Sequence, residues 1–175
     1  MARDYPALLL PIVQTLAGAL ESGGRPVGLA HLVPGGEPAW DDCCEGQAYL
    51  RVIEVYPTAG TGGTSPFPAR DVTQRGAKLG CSISLLAFHL GLGVIRCAHS
   101  VGSSGEPPSA NEMTDDAALA LDDMAVMLDL LTCVLPQSRN IQRLSVGAWT
   151  PRGVDGGCAG GEWDFFVAID PCLEC

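Results

Sequence analysis

The sequence predicts an α+β fold over residues 1–175: a mostly antiparallel sheet, two helices packed on one face, and long Gly/Pro-rich loops. Three observations lead there. Two well-separated segments have helical 3–4 apolar spacing. Strand-like runs lie between and after them, giving the order helix, strands, strands, helix, strands, which suits segregated helices on an antiparallel sheet. Gly and Pro together make up 35 of 175 residues, against roughly 12% on average, so the connections should be long and irregular. One domain is the default at this length, and 47% apolar residues suffice for a core. No internal repeat is present.

The first helix places Leu8, Leu9, Ile12, Val13, Leu16, Ala19 and Leu20 at helical spacing. Pro6 suits a first turn, Pro11 predicts a kink, and Ser22-Gly-Gly-Arg-Pro26 ends the element. Val27–Val33 reads as a short strand, and 34–46 as a loop with Trp40, Asp41, Asp42 and a cysteine pair. Gln47–Tyr56 is the clearest strand, and its apolar residues on both faces predict burial on two sides. Residues 57–78 have almost no apolar periodicity and read as an arm that orders against a neighbouring subunit. Leu79–Leu90 is strand-like, Gly91-Leu-Gly93 marks a bulge or turn, and Val94–Cys97 resumes the strand. After a loop from His99 to Pro108, Ser109-Ala-Asn-Glu112 is a capping-box pattern opening a helix that runs to about Leu135.

The expected core stripe of that helix is Ala117, Leu121, Met124, Leu128, Leu131 and Leu135. Asp115, Asp122 and Asp129 recur every seven residues, with Asp116 and Asp123 beside them, and predict one wet face. Further apolar residues, among them Leu119, Met127, Leu130 and Val134, make the apolar arc wider than one sheet contact needs, so these four are a candidate oligomer interface. Ile141–Thr150 and Trp163–Ile169 close the chain as strands, the second with Trp163, Phe165, Val167 and Ile169 facing one way. Pro151–Gly161 between them reads as a flexible glycine-rich connection.

Charge narrows the function. Twenty acidic against ten basic residues give a net charge of −10, which disfavours nucleic acid and anionic membrane as partners. No window approaches the roughly 18–20 apolar residues of a membrane span, and Arg3-Asp-Tyr-Pro6 makes a weak secretory signal. Lys78 is the sole lysine, and the Arg, Ala, Gly and Pro usage suggests a GC-rich genome.

Eight cysteines stand at 43, 44, 81, 97, 133, 158, 172 and 175. Only Cys172-Leu-Glu-Cys175 has a zinc-knuckle gap; Cys43 and Cys44 are adjacent, and His31, His89 and His99 are isolated. Buried thiols, one or two disulfides and a zinc site assembled from distant strands all remain open.

No catalytic motif emerges. Gly102-Ser-Ser-Gly105 is one residue short of a nucleophile elbow, and Gly60-Thr-Gly-Gly-Thr-Ser65 lacks the lysine of a phosphate loop. The aspartate pairs lack calcium-loop spacing, and no family signature surrounds a cysteine with His89 or His99. The sequence therefore predicts no catalytic residue, no cofactor and no metal; a small thiol- or zinc-dependent enzyme is the distant alternative.

Three segments together resemble a known family. They are Trp40-Asp-Asp-Cys-Cys-Glu-Gly-Gln47, running into Tyr49-Leu-Arg-Val52 and Tyr56-Pro57; Leu92-Gly-Val-Ile-Arg-Cys97; and Gly147-Ala-Trp-Thr-Pro151 followed by Gly156-Gly-Cys-Ala-Gly-Gly-Glu-Trp163. Over residues 40–170 the chain resembles the tail terminators, head–tail junction proteins of long-tailed phages infecting actinobacteria. The resemblance implies a non-enzymatic virion protein of the neck, assembled in the host cytoplasm. It implies a hexameric ring that caps the tail tube, ends its elongation and offers a docking face to the head connector. The implied partners are further copies of the chain, the major tail tube protein, and head-to-tail connector or stopper proteins. Genomic DNA would pass through without specific binding, with Asp115, Asp122 and Asp129 as a candidate lumen row. A stopper or adaptor ring of the same junction is the near alternative.

Overall fold

The computed structural model describes residues 4–36, 38, 43–58, 85–101 and 105–170. Helix α1 spans Tyr5–Ser22 and buries Leu9, Ile12, Val13, Leu16 and Leu20, one stripe of the expected spacing. Asp4 caps it, its carboxylate accepting from the Ala7 N–H at 3.1 Å. Pro11 lies inside the helix on its exposed side, where its carbonyl accepts from the Thr15 hydroxyl at 2.7 Å. The helix ends as Gly23 donates to the Ala19 carbonyl and Arg25 to that of Leu20, with Gly24 at φ +74°.

Five strands form one sheet in the order β1-β2-β3-β5-β4. They are β1 (Leu29–Pro34), β2 (Gln47–Thr58), β3 (Leu85–Cys97), β4 (Ile141–Asp155) and β5 (Cys158–Ile169). Only β1 with β2 is parallel; the other pairs are antiparallel. Helix α2 (Ala110–Asp129) is the crossover from β3 to β4, so it passes over β5, which returns to fill the gap between them. Both helices pack into one core cluster with Ala48, Leu50, Phe88, Leu90, Leu92, Val94, Phe165, Val167 and Ile169, and therefore cover the same sheet face. No helix among the described residues is long and apolar enough to cross a membrane.

Two glycine-rich segments differ from expectation. Gly91 and Gly93 lie in an unbroken β3, paired residue for residue with β5 from Leu86 to Cys97; no bulge or turn interrupts it. The irregularity falls on β2 instead, between Val52 and Glu54. The glycines serve close approach: a Cβ at Gly93 would overlap the Tyr49 ring, and one at Gly91 would meet the Glu162 carboxylate at 2.5 Å. The connection 151–161 is likewise no flexible loop. β4 and β5 continue through it to a two-residue turn at Gly156-Gly157, both at positive φ as a type I′ hairpin turn requires. Gly161 lies beneath Trp149, whose indole would clash with any side chain there.

β2 is buried on both faces over Gln47–Leu50, half-buried or exposed from Arg51 to Pro57, and buried again at Thr58. Of the expected arm at 57–78, residues 57 and 58 end β2, and the rest lies outside the described residues, as do Trp40, Asp41, Asp42 and the strand start at 79–84.

Candidate functional site

Helix α2 opens on the capping box that its sequence predicts. Ser109 Oγ accepts from the Glu112 N–H at 3.3 Å, and Glu112 Oε2 accepts from the Ser109 N–H at 2.7 Å. These bonds hold the exposed Glu112 carboxyl below its ordinary range. Past Asp129 the helical path continues through a π turn, Leu130–Val134, and a 3-10 turn, Leu135–Gln137.

The rotation of α2 about its axis differs from the one its apolar pattern predicts. Asp123, expected on the wet face, is buried. Its Oδ2 accepts from Arg96 Nε at 2.5 Å, and Oδ1 lies 3.6 Å from Arg25 Nε. Arg96 also donates to the carbonyls of Pro26 at 3.0 Å and Arg25 at 2.8 Å, so this guanidinium ties α2 to β3 and to the segment before β1. Asp116 turns inward as well: its Oδ2 accepts from the His99 N–H at 2.8 Å, and Oδ1 lies 3.0 Å from the imidazole Nδ1. That hydrogen bond raises the His99 pKa above its ordinary 6.5. On the same helix the Met124 carbonyl accepts from the Trp163 indole N–H at 3.1 Å.

This anchoring changes part of the expected facing: Leu131 and Leu135 are buried in the core as expected, and Met124 and Leu128 are half-buried, but other positions differ. Met127 and Leu130, two of the four candidate interface residues, are buried in the chain's own core, where they contact the sheet and not a neighbouring chain. Leu119 is half-buried over the small cleft between α2 and the sheet, and Val134 is 46% exposed. Conversely, Leu121, expected in the core stripe, is 50% exposed, and Ala117 is exposed too. Asp115, Asp122 and Asp129 are exposed, with Asp122 3.1 Å from Arg25 Nη1. The pattern misled because a carboxylate was assigned to water, whereas two arginines distant in sequence bring it inside.

The exposed apolar side chains cluster. Val101, Met113, Leu121 and Val154, all about half exposed or more, line a groove of about 840 Å³ between the first half of α2 and the β4–β5 hairpin. Trp149, Pro151 and the hairpin glycines form its other wall. A second apolar groove, of about 390 Å³, lies where α1, the turns after α2 and the start of β4 meet. Leu8, Pro11, Val134 and Ile141 are among its walls. The grooves therefore flank opposite ends of α2, whose 20 residues span about 30 Å. Of the four residues exposed in the larger groove, Leu121 stands out in sequence only as a core residue, and Val101, Met113 and Val154 lie outside any apolar pattern.

The other sheet face combines small apolar clusters around Tyr49 and Ile95 and around Ala87 and Ala168 with paired charges. Glu162 receives a bidentate pair from Arg51, at 2.5 and 3.1 Å, and has Arg152 at 3.8 Å. Burial first, and the Glu162 charge second, raise the pKa of the neighbouring Tyr49. His89 pairs with Asp164 and stacks on Phe166 at 4.2 Å between centroids. A carboxylate held by two guanidinium groups is a structural tie between strands, since both its oxygens are already engaged.

Four cysteines converge at one end of the sheet. Cys43 and Cys44 form a 3-10 turn with Glu45. Disulfides join Cys43 to Cys158 and Cys44 to Cys97. Cys133 is an exposed thiol, while Cys81, Cys172 and Cys175 lie outside the described residues. Cys43, Cys44 and Cys97 are also the one group of three metal-ligating side chains, among the described residues, whose ligand atoms all lie within 4.8 Å of one another.

No protein-family model matches the chain, and no curated protein matches it.

Proposed function

We propose that the chain is a structural subunit of a ring at the phage head–tail junction, of the tail-terminator kind. The observation that favours this reading is the pair of apolar grooves at opposite ends of α2. A closed ring needs two different patches on each subunit, because a head-to-tail interface pairs unlike surfaces. Four half-exposed apolar side chains in one groove are a concentration that marks contact surfaces. The family resemblance supplies the setting: a hexamer seated on the tail tube, contacting the tube protein below and the head connector above. Asp115, Asp122 and Asp129 are exposed, and in this reading they line the DNA channel, where like charge keeps the transiting duplex from binding.

The experiment is tube capping. Purified chain is mixed with tail tube protein, and tube length and end density are read by electron microscopy. Rings at tube ends and arrested growth are expected, with both lost in Leu121→Asp. Uncapped tubes of unchanged length would overturn the proposal. Rings that bind portal complexes but not tubes would replace it with a stopper or adaptor.

A further inference from the structure

We infer that Cys43, Cys44, Cys97 and Cys158, in the thiol form of the chain, are the four ligands of a structural zinc ion. Linear spacing hides this set, because no two of the four stand in a C-x-x-C pair. The fold assembles it. Cys97 and Cys158 are direct partners across the β3–β5 ladder, so their side chains leave the same sheet face. The 3-10 turn lays Cys43 and Cys44 over that pair, with Cα–Cα separations of 6.0 Å to Cys158 and 4.3 Å to Cys97. Three of the sulfurs lie within 4.8 Å of one another, and the fourth is bonded to one of the three.

Tetrahedral zinc holds each thiolate at about 2.3 Å, which sets sulfur–sulfur distances near 3.8 Å. To reach that spacing the two bonded sulfur pairs must separate, and the Cys158 sulfur, which lies outside the 4.8 Å group of the other three, must close on the Cys44 and Cys97 sulfurs. Four thiolates in tetrahedral array select zinc over the hard cations. Cys44 and Cys97 are exposed, which gives the ion an entry path, while Cys43 and Cys158 are buried and close the site behind it. A newly made chain carries thiols, so binding needs no electron transfer: Zn²⁺ and four thiols give a tetrathiolate complex and four protons. The ion then fastens the segment entering β2 to the ends of β3 and β5, the same three elements that the disulfides join.

The test is the metal content of the full chain, purified with zinc and a thiol reductant and freed of excess metal. One zinc per chain is expected by elemental analysis, and cobalt substitution should give the visible absorption of a tetrahedral four-thiolate site. Cys97→Ser and Cys158→Ser should each cut retained zinc at least tenfold. Cys81→Ser, Cys133→Ser and the double variant Cys172→Ser with Cys175→Ser should retain it. The proposal is overturned by a thiol-form chain that holds no zinc or holds iron instead. Loss of zinc only in the Cys172, Cys175 variant would also overturn it. If a serine variant fails to fold, the cobalt spectrum of the unaltered chain decides, since fewer than four thiolates give a different spectrum.

Discussion

At Gly93 the backbone of β3 passes directly under the Tyr49 ring, and at Gly91 under the Glu162 carboxylate. Neither residue has a positive φ; their role is space. Gly93→Ala should therefore lower stability by about 1–3 kcal/mol through overpacking. In a chain of this size that shifts Tm by roughly 2–4 °C per kcal/mol, and a thermal melt checks it. Asp123 makes a sharper case, because its carboxylate is 4% exposed and faces two guanidinium groups. Asp123→Ala leaves the largely covered Arg96 guanidinium without its anion and should cost about 3 kcal/mol in urea unfolding. Asp122→Ala, 72% exposed, should fall within about 0.5 kcal/mol of the unaltered chain. Equal costs for the two would remove the basis for the helix orientation described above.

Among the elements, α2 shows how far sequence reading reaches. Its start was legible, because Ser109 and Glu112 form a local motif whose partners are three residues apart. Ser109→Ala should cost about 1 kcal/mol by the same reasoning. Its facing was not legible, because Arg25 and Arg96 fix it from 98 and 27 residues away, and apolar periodicity contains no information about such partners. The alternation in Trp163–Ile169 predicted its strand face correctly, since both neighbouring strands and the helices treat it alike. In Pro151–Gly161 glycine was read as freedom, whereas each of Gly156, Gly157 and Gly161 answers a specific geometric demand. The cysteine cluster was hidden for the same reason as Asp123: β5 pairs with β3 across a gap of some sixty residues. The His99–Asp116 contact adds a pH signature to the start of α2. The His99 pKa is raised in the folded chain, so the stabilisation is full below the ordinary 6.5 and is lost as pH rises through the higher folded value. Imidazole proton shifts should place the His99 midpoint above 6.5 and return it toward that value in Asp116→Asn.

For the whole molecule, an acidic chain, a one-sided α+β sheet and two separate apolar grooves are the features on which the proposed ring subunit rests. The fold class followed from apolar spacing and element order, whereas the two exposed apolar grooves emerged only once the chain's own core had claimed Met127 and Leu130. The charge of −10 per chain predicts no salt-sensitive binding to duplex DNA at physiological ionic strength, which a gel-shift titration checks. The most direct test of the ring is a density map of the virion neck with this chain labelled. Six copies should close around the end of the tail tube, with the Leu121 groove of each subunit covered by its neighbour. A neck without the chain, or one holding it in five or twelve copies, would contradict the account.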